Sequence, residues 1–335
     1  MKTGFRFCIL IALAAFFIGI HGFGYGAPVT LKQGTMYPEN SNYGKAMNRF
    51  SELAKQYSNG EIKLDVYHGG QLGKKAQLVE NIQRGATDVY IETIDVFETY
   101  IPECYFQSMS YMFKDVDHMR KFYQSDWFEK NIHAKFKARG ATFIPQKYTW
   151  ERGPYRVLVT RIPITTVDDM KKIKLRVYES EVYKLVWQAL GANTTMIDWT
   201  EVYLALKQNT IQGVTSPIDL VRPQKFTEVA KYITRIDEFP QVLLVMMNNK
   251  SLEKLSASQK EAIQKAADDA GAYFTKMNAD GAEVDIAAML EGDGANFSRP
   301  PLAKWREKVS PFYKQLENDG KVQKGFYDMV QGLLK

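Results

Sequence analysis

Arginine is the side chain best suited to seizing a carboxylate. Its guanidinium stays charged and presents a planar donor fork that two carboxylate oxygens can meet at once. Arg152, Arg156 and Arg176 fall in or beside strand-like stretches, with Trp150, Tyr155, Tyr178 and Trp199 close by in sequence. Indole and phenol faces pack against the apolar part of a ligand whose acid an arginine holds. The sharpest case is "KKIKLRVYES", residues 171–180, where Ile173, Leu175 and Val177 alternate with Lys174, Arg176 and Tyr178. That alternation is the period of a strand. Helical patterns stand before and after it, so the sheet is expected to be covered on both faces, where strands are usually apolar throughout. Arg176 is then either a surface partner of Glu179 or Glu181, or a charge held beyond a strand end for an anion. Periodicity leaves both readings open.

Other chemistries find little support. "GGQLGKK" at 69–75 lacks the glycine spacing of a phosphate loop, and Lys75 stands where a magnesium-binding Ser or Thr belongs. His68, His118 and His133 have no metal-ligand spacing, so no metal and no cofactor is expected. There is no G-x-S-x-G elbow, and Cys104 has no obvious partner. The formal charge of +6 is spread without a basic block, which argues against nucleic acid.

The elements that must position the arginines alternate between strand and helix. "APVTLKQGTMYPENSNYGKAMNRFSELAKQYSNG" reads as strand, loop and helix; "EIKLDVYHGGQLG" adds a strand, "KKAQLVENIQRG" a helix and "ATDVYIET" a third strand. This order predicts βαβ units and a largely parallel sheet. Later, Thr166 with Asp169 forms a capping-box variant, Ser180 caps "EVYKLVWQALG", and Thr200 is expected to cap "EVYLALKQ". A helix is predicted over about 258–290, long enough to brace two lobes.

Residues 1–26 place Lys2 and Arg6 before an apolar run from Phe7 to Ile20, with Gly24 and Gly26 ahead of Ala27. This is the order of a cleaved secretory signal peptide, too short in its apolar run to span a bilayer comfortably. Loss of Lys2 and Arg6 lowers the formal charge from +6 to +4 and leaves Cys104 as the one cysteine. No internal disulfide is then possible, so stability must come from an ordinary core, at this length more plausibly in two parts than one.

Four stretches resemble the substrate-binding proteins of TRAP transporters. They are "GGQLGKKAQLVENIQRGATDVY", "PITTVDDMKKIKLRV", "LGANTTMIDWTEVYLALKQNTIQG" and "SPIDLVRPQKFTEVAKYIT". The resemblance implies a type II-like periplasmic binding fold, with two α/β lobes around a ligand cleft. Lobe I would be 27–153 plus about 242–281, and lobe II 154–241 plus about 282–335. It implies a periplasmic, non-enzymatic receptor that captures a small organic carboxylate by hinge closure and delivers it to a membrane permease. A monomer is expected. An extracytoplasmic enzyme or a sensory receptor for an organic acid on the same scaffold is the competing class.

By the resemblance, Arg176 makes the main salt bridge to the ligand, Arg156 assists, and Trp199 lines the pocket. Ser216 replaces the family's asparagine, while Tyr37 and Glu92 face the cleft from the other lobe. Val214, Thr215 and Lys172 also depart from the family's pattern.

Overall fold

A computed structural model describes residues 28–334. The signal-peptide reading therefore lies outside the described residues. Among the described residues eleven strands form two sheets. In chain order these are β1 (Val29–Gly34), β2 (Ile62–Tyr67), β3 (Val89–Glu92), β4 (Ala141–Phe143), β5 (Arg156–Thr160), β6 (Lys174–Val177), β7 (Asn193–Met196), β8 (Gly213–Pro217), β9 (Tyr232–Arg235), β10 (Leu244–Asn248) and β11 (Asn296–Ser298). The first sheet has the order β2-β1-β3-β10-β4 and the second β11-β9-β5-β8-β6-β7.

The local physics of the first sheet is that of βαβ units. Ser41 caps the helix Asn42–Tyr57 by accepting from the Gly44 N–H at 3.1 Å. That helix buries Tyr43, Ala46, Met47, Phe50, Leu53 and Ala54, one stripe at helical spacing. Gly85 ends the helix Lys75–Arg84 in a left-handed conformation, φ 79°, which an L side chain resists. The chain then enters β3, buried along its whole length.

The sheets are mixed rather than largely parallel. β10 runs antiparallel to β3 and β4, and β5 runs antiparallel to β8 and β9. Both reversals follow from chain crossings between the sheets. β5 is entered from the first sheet and β10 from the second, so neither is bound by the right-handed crossover that makes neighbouring strands parallel.

The two crossings, near 150–156 and 236–243, lie side by side. The Arg152 N–H donates to the Gln241 carbonyl and the Leu243 N–H to the Trp150 carbonyl, each at 2.9 Å. The Ile236 N–H donates to the Arg156 carbonyl at 3.1 Å.

The long helix is Ala257–Asp293, 37 residues capped by Ser256 and closed by Gly294 at φ 62°. At 1.5 Å per residue it spans about 55 Å. Ile263, Ala266, Ala267, Ala270 and Phe274 pack into the core on one side of the first sheet, with Phe50 and Trp150. Ala282, Ile286 and Met289 pack into the core of the second, with Val157, Val214 and Ile233. The helix thus ties two cores together. The cap expected at Thr200 moves upstream: Asp198 accepts from the Thr200 N–H at 3.0 Å and opens a short 3₁₀ turn, Trp199–Glu201, before the helix Val202–Lys207.

Trp150 fixes the long helix to the crossing, because its indole N–H donates to the Ala267 carbonyl at 2.8 Å. Gly271 permits that approach. A Cβ there would stand 2.3 Å from Thr149 Oγ1 and 2.5 Å from Trp150 Cδ1, whereas one at Gly281 meets nothing within 4 Å. Gly271→Val is expected to lower stability to urea by about 1–3 kcal/mol through overpacking. Gly281→Ala on the same helix is expected to raise it by up to about 1 kcal/mol through helix propensity.

Candidate functional site

One rim gathers the chemistry. β3 ends at Glu92, β6 ends just after Arg176, and the turn after β1 brings Tyr37 round. β5 runs the other way, so its first residue, Arg156, lies opposite the last residue of β8, Pro217. Ligand crevices in open α/β sheets sit beyond such strand ends. Here the crevice is a cleft of about 580 Å³ whose lining includes Tyr37, Glu92, Arg152, Arg156, Arg176 and Trp199. That volume is within the ~300–1,000 Å³ usual for small-molecule sites.

The three arginines are not equivalent. Arg156 donates through Nε to Glu238 at 3.0 Å, through one Nη to Gln241 and through the other to Thr215 at 3.0 Å. Burial works against its charge, but Glu238 outweighs it and holds the pKa above the ordinary arginine value. Arg152 donates to Tyr43 at 2.7 Å, to Glu92 at 3.3 Å and to Tyr37. Its pKa is likewise held high, burial being outweighed by the two tyrosines and Glu92.

Arg176 differs. It is 6% exposed, its Nε donates to the Ile197 carbonyl at 2.8 Å, and its two Nη atoms make no hydrogen bond among the described residues. No carboxylate lies within 4.0 Å of it among them. Burial therefore prevails and lowers its pKa to about 10, which still leaves it charged at neutral pH. Trp199 stands beside it, the guanidinium carbon 5.5 Å from the ring centroid. The Trp199 indole N–H is buried and also unpartnered. The surface pairing of Arg176 with Glu179 or Glu181 is not what the fold adopts.

The wall from the first sheet is acidic but neutralised. Glu92 accepts from Tyr37 Oη at 3.0 Å, from the Thr93 N–H at 3.0 Å and from Arg152. Asp95, in the 3₁₀ turn Ile94–Phe97 that follows, pairs with Lys75 Nζ at 3.4 Å and keeps its Oδ1 unpartnered. Although burial opposes its charge, Lys75 holds its pKa below the ordinary value. The same Lys75 Nζ lies 5.4 Å from the Tyr178 ring centroid, on the second-sheet side. Lys74 Nζ similarly reaches Glu201 at 3.7 Å.

The structure brings Arg176, Arg156, Trp199, Glu92 and Tyr37 to one cleft, but Ser216 does not line it. Alternation along β8 is the reason: Thr215 and Pro217 share the cleft side, and the Ser216 hydroxyl turns away to its neighbour's carbonyl, Pro217 O, at 2.8 Å. Thr215 takes the place expected of Ser216. The sequence reading also missed Asp95, Gln241 and the buried Glu238. Glu238 and Gln241 lie 82 and 85 residues beyond Arg156, with no local pattern to link them. Asp95 stood three residues past Glu92 and carried a signal that went unused. Among the described residues no cluster of His, Cys, Asp or Glu could hold a metal ion, and no helix is long and apolar enough to cross a membrane.

A further contact ties the sides of the cleft. Ser180, which caps the helix Glu181–Ala189, donates to Glu98 at 2.8 Å, and Ser108 donates to Glu98 at 3.0 Å.

With the geometry established, known proteins can be set beside it. The family described as bacterial extracellular solute-binding protein, family 7, matches residues 33–319. The sialic acid-binding periplasmic protein of Vibrio cholerae is 27% identical over 296 residues, covering 88% of this chain and 90% of that protein. The C4-dicarboxylate-binding periplasmic protein of Rhodobacter capsulatus is 25% identical over 293 residues, 86% of each. Among solved structures, the sugar acid binding protein of Advenella mimigardefordensis in complex with galactonate superposes with a TM-score of 0.81. It is 26% identical and covers 92% of this chain and 97% of its own. A TRAP periplasmic solute binding protein of Ochrobacterium anthropi, with bound L-fuconate, gives the same score and identity, covering 92% of this chain and all of that one.

Burial raises the Glu98 carboxyl from its ordinary 4.5 to about 7, against the hydrogen bonds of Ser180 and Ser108. A folded-state value above the unfolded one gives a contribution to stability that is complete below about 4.5 and lost as pH rises through about 7. Glu98→Gln is therefore expected to melt close to the native protein at pH 4.5 but higher than it at pH 8, by about 2–4 °C per kcal/mol recovered. A variant that melts with the native pH profile would contradict this.

Proposed function

The chain belongs to the bacterial extracellular solute-binding proteins of family 7, and from that premise we propose that its cleft captures a small organic carboxylate on Arg176. It is a TRAP-type solute receptor, not an enzyme, as its family and its structural neighbours are ligand-binding proteins of transporters. One observation carries the ligand reading: a buried guanidinium in the cleft wall with both Nη atoms unpartnered among the described residues. Two carboxylate oxygens are the group that satisfies such a fork. The acids named with the relatives, sialic acid, galactonate and L-fuconate, support that choice.

In this reading Arg176 takes the carboxylate and Trp199 flanks it. Arg156, held by Glu238, Gln241 and Thr215, has N–H groups to spare and assists from the floor. Tyr37 and Glu92 meet the ligand's far side, and Thr215 rather than Ser216 completes the wall. The strands of the first sheet fall within 27–153 plus about 242–281 and those of the second within 154–241 plus about 282–335, which supports reading these spans as lobes I and II. The paired crossings then serve as the hinge on which the lobes close. The family is periplasmic. Export by residues 1–26, action as a monomer and delivery of the ligand to a membrane permease complete the proposal.

Arg176→Ala is expected to weaken binding of the native acid on the order of a hundredfold to a thousandfold, the scale of removing one partner from a buried ion pair. Arg176→Lys restores the charge but not the fork and is expected to recover only part of that loss. Isothermal titration calorimetry reads both, and native-like affinity in Arg176→Ala would refute the assignment.

A further inference from the structure

Five cations line the cleft among the described residues: Lys74, Lys75, Arg152, Arg156 and Arg176. Four already have a carboxylate. Lys74 pairs with Glu201 at 3.7 Å, Lys75 with Asp95 at 3.4 Å, Arg152 with Glu92 at 3.3 Å and Arg156 with Glu238 at 3.0 Å. In the last three pairs the acids are at most 8% exposed, while the Lys75 side chain is 26% exposed. Of the five cations, Arg176 alone has no carboxylate among the described residues.

From this count we infer that the cleft is built for a ligand with a single carboxylate and an uncharged, hydroxyl-bearing remainder, and that Asp95 is the residue that rejects a second carboxylate. The inference rests on the proposed seating of one carboxylate on Arg176. A second carboxylate on the same ligand could reach only Lys74, whose pairing with Glu201 is exposed on both sides and worth little, or would have to take a cation from Asp95, Glu92 or Glu238 and leave that buried acid unpaired. Breaking a buried pair in that way is far costlier than making no pair at all.

The wall contributed by the first sheet is where the distal end of such a ligand must lie, since Arg176 belongs to the second. Asp95 is 8% exposed; its Oδ1 is buried and unpartnered, and its Oδ2 accepts only the long bond from Lys75. A carboxylate in that position accepts hydrogen bonds and repels anions, so a ligand hydroxyl satisfies it and a ligand carboxylate does not. Glu92, paired with Arg152, adds a second carboxylate on the same wall, at the end of β3. The cleft thus has one cation without a carboxylate in the second lobe and paired acceptor groups in the first.

The test uses matched acids on the full mature protein: galactonate against galactarate, gluconate against glucarate, and butyrate against succinate. Within each pair the carbon chain is the same and only the terminal group changes. Calorimetry is expected to show at least one of the two aldonates bound, with its dicarboxylate partner weaker by a hundredfold or more. Butyrate, lacking hydroxyls, is expected to bind at least tenfold more weakly than the better aldonate. In Asp95→Asn, which keeps the shape but frees Lys75, the aldonate-to-aldarate ratio is expected to fall at least tenfold.

Dicarboxylates bound as tightly as their partners, or more tightly, would overturn the inference. So would an unchanged ratio in Asp95→Asn, or a panel in which neither aldonate binds. If the favoured dicarboxylate still required Arg176, the proposed function would stand without this refinement. If only neutral sugars bound, both would fall. The native protein's own ratios decide the matter even if Asp95→Asn fails to fold.

Discussion

Burying a guanidinium without a counter-charge costs free energy that the rest of a fold must offset. Arg176 is in that position: it is nearly inaccessible, holds one backbone carbonyl and has its pKa drawn down to about 10. Nothing local requires it there, since Leu175 and Val177 already anchor β6 in the core. The surroundings tolerate the charge because they are otherwise neutralised in pairs, and because an aromatic face stands beside it. In the proposed function an incoming carboxylate completes the pairing and relieves the cost.

The same arrangement couples the site to the connection between the two sheets. Arg152 and Arg156 sit on or beside one crossing, and Glu238 and Gln241 on the other. The ion pair Arg156–Glu238 therefore joins the crossings while forming part of the cleft floor. The long helix meets the cores of both sheets, and Trp150 locks it to the first crossing through Ala267. With the crossings as the proposed hinge, the same side chains serve the ligand site and the connection.

Much of this was legible in the sequence, unevenly. Strand and helix order, the Ser180 cap and the long helix followed from period and capping rules because those signals are local. The position of Arg176 was visible as an anomaly, yet alternation could not say whether it faced Glu179, Glu181 or a ligand; family resemblance was needed to choose. Ser216 shows the limit at one-residue scale. The motif drew attention to it, but the pleat of β8 sends Thr215 into the cleft and Ser216 away. The antiparallel placement of β5 and β10, and the partners Glu238 and Gln241, depend on long-range crossings that leave no periodic trace. Thr200 yielded its cap to Asp198 because a carboxylate two residues upstream reaches both the backbone and the hydroxyl of Thr200.

Whether Arg176 is the anion receptor is tested directly by a crystal structure of the protein with a bound organic acid. Both carboxylate oxygens are expected within about 3 Å of the two Nη atoms of Arg176, with Arg156 still held by Glu238. A carboxylate seated on Arg156 or Lys74, with Arg176 keeping only its bond to Ile197, would contradict it.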